Sequence, residues 1–271
     1  MSACAGALPG QSAAREAAPV LRAQAVSVAV GARQLVAALD LQVRPGEFLV
    51  VLGRNGSGKT LTLQTLAGLR PAAAGTVELD GMPLDVLGRR RVAQRLGVLS
   101  QDSEAGLGGT VLESVLIGRH PHLGFLQWES AADRELALDC LARVGLTGLA
   151  GRALDTLSGG EQRRAAIAAV LVQQPQLYLL DEPTNHLDPH HQLAALELFR
   201  DLTRTGASVL ATLHDPTLAA RFADRVLLLF GAGDWRAGTA QELLTAQSLG
   251  ELYQTPMLQL EAAGRRVFAT A

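Results

Sequence analysis

Cysteine, net charge and long apolar stretches are all scarce in this 271-residue sequence. The two cysteines, Cys4 and Cys140, lie far apart and form no Cys-x-x-Cys pair, which argues against a disulfide framework or a zinc site and suits a reducing cytoplasm. A net charge of −2 gives no reason to expect nucleic acid as a partner. The longest apolar runs, such as residues 165–172, fall short of the ~18 residues that a membrane-spanning helix needs, so we expect no such helix.

Lysine is scarcer still, since Lys59 is the single lysine among 24 basic residues and all the others are arginine. A biased genome composition also explains the excess of arginine, so the pattern alone does not establish a role. However, lysine is a compact, flexible point charge, whereas arginine is a bulky planar fork. A tight phosphate pocket admits the first and not the second, which makes Lys59 a candidate phosphate ligand.

Apolar segments along the chain alternate between strand-like and helix-like patterns. The strand-like segments are short, apolar and bounded by turn residues, and they are 23–30, 35–43, 48–52, 76–79, 96–100, 177–180, 208–213 and 225–230. Helical patterns follow several of them, at 61–69, 160–173 and 190–202. Strands that alternate with helices predict an α/β fold with a parallel sheet and helices on both faces.

Eight consecutive residues match the full pattern of a phosphate-binding loop, Gly-x4-Gly-Lys-Thr. They lie between a predicted strand and a predicted helix, and they are Gly53, Arg54, Asn55, Gly56, Ser57, Gly58, Lys59 and Thr60. The glycines let backbone N–H groups surround a β-phosphate, and the start of the helix adds partial positive charge. We expect Lys59 to reach the β- and γ-phosphates of ATP and the Thr60 hydroxyl to bind Mg²⁺. The alternative, a chance glycine-rich turn, does not explain the correct flanking elements.

An acidic pair ends the apolar strand predicted at 177–180. Open α/β sheets place their ligands at the carboxyl ends of strands, where Asp181 would hold Mg²⁺. Glu182 would then lie beside the γ-phosphate and accept a proton from the attacking water. The alternative is a structural role, in which the pair merely ends a strand and caps the next helix. Its occurrence with a phosphate loop favours catalysis.

A second glycine-rich segment begins the helix at Leu157-Ser158-Gly159-Gly160-Glu161. Ser158 and Glu161 match a capping box, which is sufficient as a purely structural explanation. Yet glycine in a helical turn costs about 1 kcal/mol relative to alanine. The bare N–H groups that two glycines expose at a positive helix end form another anion site. One chain with two phosphate-binding surfaces suggests that two copies face each other.

Taken together, these motifs resemble the nucleotide-binding subunit of an ABC transporter. The resemblance covers nearly the whole chain from about residue 21 and implies an ATPase that uses ATP and Mg²⁺, with two subunits enclosing two ATP molecules. Each ATP would contact the phosphate loop of one subunit and Ser158, Gly159, Gly160 and Glu161 of the other. Gln101 matches the family's Q-loop glutamine, which contacts Mg²⁺ and the transport partner. His214 matches the switch histidine at the γ-phosphate, and Asn185-His186-Leu187-Asp188 matches the loop that crosses the dimer interface.

The same resemblance implies an organisation for the chain. Residues 21–240 are expected to form the ATPase domain, an α/β P-loop NTPase core with a parallel sheet and an antiparallel β subdomain. Between about 102 and 157 the pattern changes to helices with glycine-rich joints, which predicts an inserted helical subdomain. Residues 1–20 lack the features of a secretory signal and predict a flexible tail, and residues 241–271 predict a small C-terminal appendage.

One position departs from the family. Its members usually place an aromatic residue just before the first turn, where it stacks on adenine, and Val30 occupies that place here. Loss of a base–aromatic stack costs about 1–3 kcal/mol unless another group replaces it. We therefore expect weaker nucleotide affinity and a weaker preference for adenine over guanine than in relatives.

The helical region is similar to one group within the family. Gly118-Arg119-His120-Pro121-His122, followed by the acidic segment 128–133, resembles importers of iron–siderophores, haem and cobalamin, although the His-Pro-His segment is also explained as a surface loop without a role. The implied function is an ATP-hydrolysing motor that energises uptake of cobalamin, an iron–siderophore or haem. A soluble ABC ATPase of the iron–sulfur assembly type and an exporter motor remain alternatives.

An importer motor has characteristic partners. The resemblance implies a second copy of this chain, integral-membrane permease subunits and, indirectly, a periplasmic substrate-binding protein, with no nucleic acid. The chain would then be peripheral, at the cytoplasmic face of the inner membrane. A permease partner would separate the importer from the soluble ATPase.

Overall fold

The computed structural model of the chain describes residues 18–101 and 109–271. The predicted tail at 1–20 therefore lies almost wholly outside the described residues, as do residues 102–108 of the predicted helical subdomain. Among the residues described, every helix is too short or too polar to cross a membrane.

Strands occur both before residue 102 and after residue 108. In chain order they are β1 (Leu21–Val30), β2 (Arg33–Val43), β3 (Phe48–Gly53), β4 (Ala74–Leu79), β5 (Met82–Pro83), β6 (Leu96–Leu99), β7 (Leu177–Leu180), β8 (Ser208–Thr212), β9 (Arg225–Gly231), β10 (Asp234–Thr239), β11 (Met257–Ala262) and β12 (Arg265–Thr270). The α-helices between them are α1 (Lys59–Leu66), α2 (Leu84–Leu87), α3 (Arg89–Arg95), α4 (Val111–Leu116), α5 (Ala131–Arg143), α6 (Gly159–Val172), α7 (Pro189–Arg204), α8 (Pro216–Phe222), α9 (Ala240–Leu243) and α10 (Ala246–Tyr253). Short 3₁₀ helices span Ile117–His122, Thr147–Leu149 and Leu154–Thr156.

The central sheet has six strands in the order β10-β9-β3-β8-β7-β6. Strands β9, β3, β8, β7 and β6 run parallel, as the α/β pattern predicts. All residues of β3, β7 and β8 are buried, because a parallel sheet is covered on both faces and needs continuous apolar runs. The edge strand β10 pairs antiparallel with β9 and adds one antiparallel strand to the predicted parallel sheet.

A second, antiparallel sheet has the order β2-β1-β4-β5 and matches the predicted antiparallel subdomain. Its inner face and one face of the central sheet share an apolar cluster that includes Leu21, Leu39, Leu49 and Leu210. Helix α1 contributes Leu63 to the same cluster. This packing fixes the β1–β2 hairpin beside the phosphate loop.

Helices α4, α5 and α6 pack on one another and on the opposite face of the central sheet. Capping boxes begin all three of them, at Thr110, Ser130 and Ser158.

At the far end of the chain, the β11–β12 hairpin is held to the core. The Thr217 hydroxyl there accepts a bond from the Phe268 N–H at 3.1 Å.

Candidate active site

A cleft of about 620 Å³ opens where the strands of the central sheet end. Three of its lining residues follow the carboxyl ends of parallel strands, with Gln101 after β6, Glu182 after β7 and His214 after β8. The rest come from the phosphate loop and helix α1 or from the β1–β2 hairpin, and they are Asn55, Gly56, Gly58, Lys59, Thr60, Leu61, Val30, Arg33 and Leu35. The topology thus collects residues far apart in sequence at the edge where α/β sheets bind ligands.

The phosphate loop has the backbone that its glycines allow. Gly56 and Gly58 have φ values of 75° and 100°, which L side chains rarely adopt. A Cβ at Gly53 would lie 2.4 Å from the Ser57 hydroxyl oxygen and 2.7 Å from the Leu229 carbonyl oxygen. That hydroxyl is buried without a hydrogen-bond partner among the described residues, which leaves it available to a ligand.

Lys59 is buried at the start of helix α1. Its Nζ donates hydrogen bonds to the carbonyl oxygens of Gly53, at 2.9 Å, and Arg54, at 3.4 Å. Burial lowers the pKa of Lys59 from its ordinary value, and the carboxylates of Glu182 and Asp181 oppose this shift. The ammonium group therefore lies over its own loop and faces the acidic side of the cleft.

Thr212 connects the acidic pair to the neighbouring strand. Its hydroxyl donates to the Asp181 carboxylate at 2.7 Å and accepts the Glu182 backbone N–H at 2.8 Å. Asp181 is buried, and its own N–H donates to the Leu99 carbonyl on β6. The sequence did not single out Thr212, because a threonine at the end of a strand carries no signal of its own.

Both oxygens of the Glu182 carboxylate have partners. Oε1 lies 2.5 Å from His214 Nε2, and Oε2 accepts a hydrogen bond from the Asn185 side-chain amide. Glu182 has a φ of 48°, in the left-handed region that is strained for a side chain of this size. These contacts hold the Glu182 carboxylate at the wall of the cleft, next to His214, which also lines the cleft.

The residues predicted to contact a partner's nucleotide do not line the cleft. Ser158, Gly159, Gly160 and Glu161 are not among its lining residues. The capping box is present, with the Ser158 N–H donating to Glu161 Oε2 at 2.8 Å. Hydrogen bonds from the Ser158 hydroxyl and N–H lower the pKa of Glu161. A Cβ at Gly160 would come within 3.0 Å of the His186 carbonyl oxygen, so this helix start packs against the 185–188 loop.

Val30 lies at the mouth of the cleft, where 48% of its surface is exposed. We expect Val30→Tyr to tighten ATP binding, because a base–aromatic stack contributes about 1–3 kcal/mol. Titration with ATP and with GTP would measure the change, which should be larger for the adenine nucleotide if the stacking is selective. Val86→Tyr, at an exposed site on helix α2 outside the cleft, is the control. Unchanged ATP affinity in Val30→Tyr would contradict the stacking hypothesis.

Comparison with protein families gives a match to the ABC transporter family over residues 36–185, which is more than half of the chain. Among characterised relatives, the chain is 41% identical to a hemin import ATP-binding protein of Pseudomonas aeruginosa over 88% of its own length and 94% of the relative's. It is 36% identical to the ferric enterobactin transport ATP-binding protein of Escherichia coli, over 86% of each chain.

Solved structures share the fold. A metal-chelate type ABC transporter in an inward-facing conformation contains a chain that matches 93% of this one with a TM-score of 0.81 and 27% identity, and 98% of that chain is covered. A dimeric ATP-binding cassette bound to ADP and phosphate matches 81% of this chain and 98% of its own, with a TM-score of 0.71 and 27% identity. Fold and family therefore agree with the motifs.

Proposed function

The chain belongs to the ABC transporter family, as an ATP-binding subunit that hydrolyses ATP to power transport, and we propose that it energises uptake of haem or another iron chelate. The observation that carries this proposal is the extent of the similarity. Relatives named for hemin and ferric enterobactin match 86–88% of the chain, well beyond the 36–185 segment common to the family. Cobalamin is the other cargo that the sequence resemblance implies.

We propose that the phosphates of ATP occupy the loop from Gly53 to Thr60. The buried Ser57 hydroxyl and the Lys59 ammonium support this position, because both lie where polyphosphate oxygens would supply partners. The adenine base would then lie in the same cleft near Val30 and Arg33, which also line it.

The donor set fits Mg²⁺, which prefers oxygen ligands. The Thr60 hydroxyl, the Gln101 side-chain oxygen and the Asp181 carboxylate supply them, and the last is buried with one oxygen bonded to Thr212. These three residues would hold the ion. When bound with ATP, Mg²⁺ neutralises phosphate charge that develops during transfer.

Glu182 is proposed as the general base. It accepts a proton from the water that attacks the γ-phosphorus, while the bond from phosphorus to the bridging oxygen breaks and ADP leaves. His214 and Asn185 support this role because they fix both carboxylate oxygens at the cleft wall. His214 also lines the cleft, and we propose that it contacts the γ-phosphate of bound ATP.

We propose that hydrolysis takes place in a dimer of two such chains. Ser158–Glu161 do not line this cleft, which supports an arrangement in which they contact the nucleotide of the other copy. The structural relative with ADP and phosphate is itself dimeric. The dimer would act on integral-membrane permease subunits at the cytoplasmic face of the inner membrane, with a periplasmic binding protein delivering cargo.

Growth on defined iron sources tests the cargo. Cells of the source organism that lack this gene should fail to grow with haem as the only iron source, and the wild-type gene should restore growth. Restoration by Glu182→Gln would contradict an ATP-driven role. Normal growth on haem with a defect on a ferric siderophore would assign that chelate instead. Normal growth on both, with a defect only in cobalamin-dependent growth, would overturn the iron proposal.

A further inference from the structure

One buried arginine outside the recognised motifs contacts two segments of the active site at once. Arg163 lies in the second turn of helix α6, the helix that begins at Ser158. It is 4% exposed, which is rare for an arginine unless its donors are satisfied. Its guanidinium extends from α6 to the carboxyl ends of two strands of the central sheet.

Each end of the guanidinium fork binds a different strand end. Nη1 donates to the Ser100 carbonyl at 2.6 Å and lies 3.4 Å from the Gln101 carbonyl, just after β6. Nη2 donates to the Glu182 carbonyl at 2.7 Å and also to the Asp181 carbonyl, just after β7. One rigid, planar group thus sets the spacing between the backbone of Gln101 and that of Glu182.

The charge of Arg163 also matters to this region. Burial lowers its pKa, and the Asp181 and Glu182 carboxylates act in the opposite direction. A buried cation beside two buried carboxylates offsets the cost of placing their charge in a dry site. Arg163 therefore serves both the backbone geometry and the electrostatics of the acidic pair.

We propose that Arg163 is a positioning residue that couples helix α6 to the catalytic glutamate and the Q-loop glutamine. It holds the Gln101 and Glu182 backbones in register with each other and with the helix that carries Ser158. A shift of α6 thereby moves the side chains of Gln101 and Glu182, which both line the cleft. Arg163 does not line the cleft, and its influence on hydrolysis is exerted through Glu182.

Arg163→Gln tests the proposal in the purified full-length chain. Misplacing the base should lower kcat by about 10–100-fold, because displacements on the scale of 1 Å are costly to the chemical step. The KM for ATP and the affinity for a non-hydrolysable ATP analogue should stay near the wild-type values, because the phosphate loop is untouched. Arg163→Lys, which keeps the charge and some donors, should recover part of kcat.

Arg164→Gln is the matched control. Arg164 is the next residue on the same helix, and its Nη1 also binds two carbonyl oxygens, of Val144 at 2.9 Å and Gly145 at 3.2 Å. Those carbonyls lie just after α5 and outside the cleft lining. The control should therefore lower the melting temperature without lowering kcat. If Arg163→Gln behaves in the same way, Arg163 is merely structural and the proposal fails.

A double variant gives the second readout. In a Glu182→Gln background, Arg163→Gln should cause no further loss of hydrolysis, because both changes disable the same base. A further loss as large as in the wild-type background would overturn the proposal. The inference rests on the proposed hydrolytic site. The activity of the unmodified chain shows whether a negative result counts against the proposed function or against the positioning role alone. An inactive wild type contradicts the proposed function, whereas an active wild type with a normal Arg163→Gln rate contradicts only the positioning role.

Discussion

Glu182→Gln should lower the rate of ATP hydrolysis by about 10²–10⁴-fold, the usual contribution of a general base, while ATP still binds. The replacement keeps the size of the side chain and one acceptor oxygen. His214 and Asn185 therefore still have a group to contact, and the cleft keeps its shape. What the variant loses is the ability to accept a proton from water.

The variant should also accumulate as a closed dimer. ATP would bring two chains together, and slow hydrolysis would delay their separation. Size-exclusion chromatography with and without ATP measures this, beside an assay of released phosphate. Glu261→Gln, on the exposed hairpin strand β11, should remain active and should not accumulate. Wild-type hydrolysis in Glu182→Gln would show that another group is the base.

Much of the fold was predictable because buried strands carry continuous apolar runs. Strands β3, β7 and β8 were predicted to within one residue at each end, since every one of their residues is buried. Strand β10, Asp234–Thr239, was not predicted. It contains glycine and charged residues and is only partly buried. Its strand conformation comes from pairing with β9 and from the Trp235 Nε1–H bond to the Ala37 carbonyl, which are tertiary contacts.

The candidate site also has parts that the sequence predicts and parts that it does not. The phosphate loop and the Asp181–Glu182 pair are contiguous, so their patterns are visible in the sequence. The contacts that orient them join residues far apart, such as Thr212 with Asp181 and Arg163 with the ends of β6 and β7. No local pattern reports such contacts. His214 was identified only through the family resemblance, since a lone histidine after a strand is more often structural.

The roles assigned to single residues remain predictions, and the sharpest test concerns the phosphate loop. Lys59→Ala should abolish nucleotide binding or hydrolysis, because the loop loses its buried ammonium group. Hydrogen bonds to charged groups contribute about 1.5–3 kcal/mol each, which corresponds to roughly 10–150-fold in affinity. Titration with an ATP analogue and an assay of released phosphate would measure both effects. Normal turnover in this variant would remove the central assignment.

Lys59→Met separates the charge from the volume of the side chain. Methionine fills a similar space without a cation, so the core around helix α1 stays packed. Burial lowers the pKa of Lys59 despite the opposing carboxylates, so the folded state disfavours its charged form relative to the unfolded state. This cost is present at neutral pH and is lost as the pH rises above the folded pKa. Lys59→Met should therefore melt no lower than wild type without nucleotide, yet fail to bind ATP.

Lys59→Arg tests why lysine alone occupies this position. The buried Lys59 ammonium lies 2.9 Å from the Gly53 carbonyl oxygen, and a Cβ at Gly53 would already collide with Ser57. A planar guanidinium needs more room than this loop leaves. We therefore expect Lys59→Arg to lose ATP binding although its charge is unchanged. If it bound ATP as tightly as wild type, the pocket would not discriminate by shape, and the single lysine would reflect only the composition of the genome.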